Sequence, residues 1–139
     1  MRELVTAIPD VEALLLLEPE ELGAKMLFLL RKRNQAQYHR GNIQSEIFAD
    51  GNQPGYPRNR EADVSLAVSE AWSWLEAQGL LVEADWTNGA NGWRVLSRRA
   101  RRMESGGIHR FSSRPLATQG DSQSAVLRRS LDRVRSREL

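Results

Sequence analysis

The chain contains no cysteine, which excludes a disulfide framework and any zinc site built on thiolates. Histidine is almost as scarce: His39 and His109 are the two present, and neither sits in a His-and-acid cluster with metal-ligand spacing. No glycine-rich phosphate loop and no nucleophile beside a base motif can be found. The expectation is a non-enzymatic protein with no cofactor, no metal and no small-molecule ligand. Long apolar runs are also missing. Ala13–Leu17 is five residues long and is followed at once by Glu18, far short of the roughly 20 residues that span a bilayer. The first ten residues carry Glu3 and no apolar stretch of signal-peptide length. These absences point to a cytoplasmic location and no membrane partner.

What is present is ordinary for one globular domain: 139 residues, 40% hydrophobic and 27% charged. The isoelectric point near 9.5 suggests a nucleic-acid partner until the charge is located. Residues 1–105 hold 13 Lys and Arg against 15 Asp and Glu, whereas residues 106–139 hold seven Arg against three acids. The body is slightly acidic, and the tail alone makes the chain basic.

Helical signals dominate the first part. Asp10 is placed to cap a short helix over Val11–Leu17. A second begins at Glu18-Pro19, with proline in the first turn and Glu20 and Glu21 at the positive end of the dipole. Leu22, Met26, Leu29 and Leu30 form its apolar stripe, and Arg31, Lys32 and Arg33 supply the sign a helix C-terminus prefers. A shorter helix is expected over Asn42–Ala49, a loop over Asp50–Asn59 with its two prolines, and a long helix over Arg60–Gln78. In that helix Val64, Val68, Ala71, Trp72 and Leu75 share one face, and Gly79 ends it.

The period then changes. Leu80–Ala84 and Trp93–Leu96 read as strands, and the two Asn-Gly pairs between them, Asn88-Gly89 and Asn91-Gly92, predict a tight hairpin turn. Ser97 can cap a last helical turn over Arg98–Met103. From Ser105 the composition is rich in Gly, Ser and Arg and predicts low order, with a weak helix over Ser124–Arg137. No internal repeat is visible.

Helices followed by a two-stranded hairpin give an α+β, mainly α class, with residues 1–104 as the domain and 105–139 as a basic tail of low order. The run Val68 to Leu81, a hydrophobic helix leaving through Gly79-Leu80-Leu81, resembles the third helix and exit of winged helix-turn-helix domains. Trp93 to Ala100 resembles the returning strand. A closer resemblance is to the N-terminal part of a little-characterised prokaryotic family, the Ymh type. It is carried by Leu16 to Gly23, by Trp74 to Leu81, and by Gly92 to Arg99. That resemblance implies a winged-helix region followed by a second, helical domain, which the sequence after Ser105 does not provide. The tail has the composition of a G/C-rich coding sequence read out of frame. Back-translation with a shift of one nucleotide allows Leu-Pro, Leu-Asn-Pro and Phe-x-x-Gly-x-Tyr elements like those of the missing domain. On that reading His109 and the tail arginines carry no functional message.

Candidate contact residues follow from the fold. A winged helix reads DNA with its third helix, yet the outward positions here supply Glu70, Ser73, Trp74 and Glu76, with Glu61 and Asp63 in the first turn. Acids on that face repel phosphates. The expected function is therefore an interaction or adaptor module with a protein partner, and Trp74 is the candidate anchor. The alternative is a nucleic-acid-binding winged helix whose wing and tail arginines touch phosphates. Arg94, Arg98, Arg99, Arg101 and Arg102 are its candidate contacts, and a solvated charge run explains the same residues. Arg31, Lys32, Arg33 and Arg40 face the same choice. Trp72 belongs to the core. Trp86 and Trp93, flanking the turn, are expected to stack across the hairpin. His39 is expected to serve the approach to a helix.

Overall fold

The computed structural model describes residues 1–103. The expectations placed on the tail, namely its low order, its weak helix and its out-of-frame origin, lie outside the described residues.

Within them the chain is mostly helical with one small antiparallel sheet, the α+β, mainly α class. Two short helices open it, α1 (Arg2–Ala7) and α2 (Val11–Leu16). The Asp10 carboxylate caps α2 by accepting the Glu12 amide at 3.1 Å, satisfying one of the donors a helix start leaves open. Helix α1 was not anticipated, because six residues with one buried leucine, Leu4, give no periodic stripe.

Helix α3 (Pro19–Arg33) starts on a reciprocal capping box, in which Glu18 and Glu21 each accept the other's backbone N–H, with Pro19 in its first turn. It stops at Asn34, which adopts left-handed geometry (φ 53°) and donates its N–H to the Leu30 carbonyl. Strand β1 (Tyr38–His39) and helix α4 (Arg40–Glu46) follow. Next come a loop and a short 3₁₀ turn over Arg58–Arg60, then α5 (Glu61–Ala77), close to the expected bounds. Helices α3 and α5 make the most extensive packing in the domain. Leu22, Met26, Leu29 and Leu30 of α3 are buried, as are Val64, Val68, Ala71, Trp72 and Leu75 of α5. Burial of this set is the main source of stability, at about 25 cal/mol per Å² of apolar surface.

The loop before α5 is held from inside. Tyr56 is buried, and its hydroxyl donates to the Ile8 carbonyl at 2.7 Å and lies 3.3 Å from that of Leu4. One phenol thereby ties the loop to α1 and to the turn after it. Burial pushes this phenol up to about 12.

Gly79 ends the α5 segment at φ +71°, a backbone that side chains with a Cβ rarely adopt. The chain then enters β2 (Leu81–Glu83) and returns as β3 (Trp93–Leu96), paired antiparallel as Leu81–Leu96, Val82–Val95 and Glu83–Arg94. Strand β3 is central, with β1 on its other side pairing Tyr38 with Arg94 and His39 with Trp93. The short β1 had no sequence signal of its own. Ser97 caps α7 (Arg98–Arg102) by accepting the Ala100 amide at 3.1 Å.

The connection between β2 and β3 corrects the expected tight turn. Residues 85–92 are too many for a two-residue loop, and the centre forms a short helix, α6 (Trp86–Ala90). Neither Asn-Gly pair makes the hairpin. Gly89 is buried where a Cβ would overlap the Ala84 carbonyl oxygen, so its role is close approach. Gly92, at φ +95°, releases the chain into β3.

Candidate interaction surface

The tryptophans settle into four different environments. Trp72 is 3% exposed, in the core. Trp74, the candidate anchor, is half-buried. Its ring lies over Gly23 of α3, so close that a Cβ at residue 23 would stand 2.8 Å from Cε3. Trp74 thus fills part of the α3–α5 crossing, and a glycine on the facing helix makes the room. Trp86 and Trp93 do not form the expected cross-strand pair, because α6 intervenes and swings Trp86 away from the sheet. Trp93 instead meets the edge of His39, with ring centroids 5.2 Å apart.

His39 organises this corner. Its Nδ1 accepts the Gly41 amide at 3.1 Å, which caps α4, and its Nε2 lies 3.0 Å from the Asn91 carbonyl. With Nδ1 accepting, Nε2 carries the proton and donates. One imidazole joins β1, the start of α4 and the β2–β3 connection.

Trp86 is the exposed tryptophan among the described residues. It is 92% exposed and adopts left-handed geometry, φ 57°. Both features cost free energy: a bulky aromatic in water, and about 1–2 kcal/mol for a left-handed L-residue. Glu83 and Asp85 flank it in sequence and are exposed. Sequence pattern could not find it, since its prominence depends on the length of the β2–β3 connection.

The outward face of α5 includes Ala62, Leu66, Glu70, Ser73 and Ala77, and Leu66 is 61% exposed. The arginines that precede α5 are neutralised. Arg58 pairs with Glu61 at 3.3 Å, and Arg60 pairs with Glu12 and Asp63, which keep its guanidinium firmly charged.

The five candidate arginines divide. Arg94 is bound into the sheet and its connection: it pairs with Glu76 of α5 and donates to the Gly89 carbonyl at 3.2 Å and the Trp93 carbonyl at 3.0 Å. Arg99 donates to the Gln78 carbonyl at the end of α5, and Arg101 donates to the Leu96 carbonyl at 3.0 Å. Arg98 and Arg102 are exposed.

Between the C-terminal half of α3, β1 and the end of β3 lies an open groove of ≈ 540 Å³. Phe28, Arg31, Lys32, Tyr38, Leu96 and Arg101 contribute to its walls. The Lys32 ammonium sits over the Phe28 ring, 5.4 Å from its centroid. The Tyr38 hydroxyl donates to the Leu30 carbonyl at 2.7 Å and accepts the Gln35 amide.

Among the described residues no group of three His or acid side chains is placed to hold a metal ion, and no helix is long and apolar enough to cross a membrane. Comparisons with protein-family models, with curated proteins and with solved structures found no match.

Proposed function

We propose that this chain is a winged-helix-like interaction module, non-enzymatic and cytoplasmic, that engages a protein partner through the tip of its wing. The observation that carries the reading is Trp86, an aromatic held out in water on a strained backbone. Exposed aromatics of this kind are the residues most enriched at binding hot spots. From α3 to β3 the order helix, strand, helix, helix, strand, short helix, strand, with β3 central, supports the winged-helix description. A winged-helix region is what the Ymh-type resemblance implies. Acids at residues 83 and 85 beside Trp86 favour a protein over a phosphate backbone.

A second reading, phosphate contact by the wing, draws support from the exposed Arg98 and Arg102. A photo-crosslinking amino acid at position 86, compared with one at position 98, separates the two in the cells that make the protein. Discrete protein adducts from position 86 support the first reading. Nucleic acid recovered from position 98, with nothing at 86, overturns it in favour of the second.

A further inference from the structure

Helix α3 is charged oppositely at its two ends, and each end carries an apolar group that its own fold leaves uncovered. At the start, Leu16 is 82% exposed and is followed by the exposed Glu18 and Glu21, with the exposed Glu12 on the preceding helix. At the far end, the groove presents Arg31, Lys32 and Arg101 around Phe28, which is 44% exposed, and Leu96. We infer that these two surfaces are complementary, and that one copy of the chain docks its Leu16 and neighbouring glutamates into the groove of another.

Helix-dipole preference accounts for acids at the start of α3 and for Arg31 and Lys32 in its last turn. It does not account for Arg101, brought to the same groove by α7, nor for an exposed leucine beside the acids. The groove cations are also unmatched. Arg33, Arg58, Arg60 and Arg94 each have a carboxylate partner, whereas none of the ion pairs among the described residues involves Arg31, Lys32 or Arg101. Two of the three are already oriented: Arg101 donates to the Leu96 carbonyl, and Arg31 reaches the Arg101 carbonyl at 3.4 Å. Unpaired cations around an apolar floor suit a carboxylate-flanked aliphatic side chain; beside Leu16, Glu12 is already paired with Arg60, while Glu18 and Glu21 keep accepting capacity beyond the one capping bond each carboxylate makes. The chain's own tail is a poor occupant, since residues 106–139 are net basic.

The two surfaces lie at opposite ends of a 15-residue helix, roughly 22 Å apart at 1.5 Å per residue. Two copies can satisfy both contacts at once as an antiparallel two-fold dimer, or one contact each in a chain that closes into a ring or grows as a filament. This goes beyond the wing-tip reading and uses different residues, so the two can fail separately.

The test is sedimentation velocity of the full chain from about 10 µM to 1 mM, at low and high salt. Self-association that weakens with salt is expected. Leu16→Arg and Lys32→Glu, both at exposed positions, should each shift half-association at least tenfold upward. Equimolar mixing of the two variants should restore association as a 1:1 pair, because one retains the groove and the other retains the leucine patch. Trp86→Gly should leave assembly unchanged. A monomer at every concentration overturns the inference, as does association that neither variant weakens or that mixing does not restore. Crosslinking of a partner at position 86 would stand or fall independently.

Discussion

The position of Trp74 can be tested through a residue that is not aromatic at all. Gly23 lies inside α3, where replacing glycine by alanine ordinarily stabilises a helix by about 1 kcal/mol. Here the added methyl would stand 2.8 Å from Trp74 Cε3 and 3.3 Å from Cζ3, with the Ala71 carbonyl oxygen at 3.4 Å. Forcing a methyl into such a contact costs about 1–3 kcal/mol. The steric cost exceeds the propensity gain, and Gly23→Ala should destabilise the protein by about 1 kcal/mol.

The sign should reverse once the ring is removed. Trp74→Ala alone should cost about 2 kcal/mol, roughly half the 3–5 kcal/mol of a fully buried tryptophan, because the ring is half-buried. In that background the methyl of Gly23→Ala keeps the Ala71 carbonyl oxygen at 3.4 Å, an ordinary van der Waals contact, and the propensity gain of about 1 kcal/mol remains. The coupling between the two sites is then about 2 kcal/mol. Urea unfolding followed by circular dichroism measures all four corners of this cycle. In thermal melts 1 kcal/mol corresponds to about 4–8 °C for a domain of this size. If Gly23→Ala stabilises equally in both backgrounds, Trp74 does not rest on Gly23, and its ring is free to be an outward anchor.

Three further outcomes are expected. Trp86→Gly should raise the melting temperature by a few degrees, because glycine removes about 1 kcal/mol of left-handed strain, while Trp86→Val should lower it; the opposite order would show that residue 86 is not strained. Arg94→Ala should cost about 1.5–3 kcal/mol by urea unfolding, the range for hydrogen bonds to a charged group, since Glu76 and the Gly89 and Trp93 carbonyls would lose their donor; a cost below about 0.5 kcal/mol would mark Arg94 as a solvated surface residue. Tyr56, with its phenol pushed up to about 12, keeps its proton in the folded state between pH 10 and 12 while the unfolded chain loses it. The folded state therefore binds more protons in that window, and stability falls with rising pH by about 3 kcal/mol across it. Absorbance titration of tyrosinate should show this late step, and Tyr56→Phe should abolish it.

Most of the helical framework was legible because its signals are local and mutually consistent. Pro19 and the glutamates around it mark one start, and the leucine spacing marks the face that meets α5. Gly79 marks the switch to strand. That β2 and β3 would pair was expected from two short apolar runs with turn residues between them. What stayed hidden was set by non-local geometry. Strand β1 is two residues long and exists because β3 is beside it; nothing in Tyr38-His39 itself requires a strand. Helix α1 is held through Leu4 and the Tyr56 hydroxyl, which comes from a loop about fifty residues later.

The β2–β3 connection shows the same division within a single segment. Asn and Gly at residues 88, 89, 91 and 92 announce a change of direction, and the chain does turn there. Their usual meaning, a two-residue hairpin, needs the strands to end immediately on either side. Strand β2 ends at Glu83 and β3 begins at Trp93, so the glycines are put to other uses: one admits the Ala84 carbonyl and one reverses the exit. That difference in loop length determines where Trp86 and Trp93 go: a tight turn would bring them across the hairpin, whereas the short helix α6 gives Trp93 to His39 and lifts Trp86 clear of the sheet. Trp74 is decided elsewhere, by Gly23 on the facing helix, which makes room for its ring. The candidate contact therefore moved along the chain for two reasons that composition and period do not encode: how many residues the β2–β3 connection spends before it returns, and which residue faces Trp74 across the α3–α5 crossing.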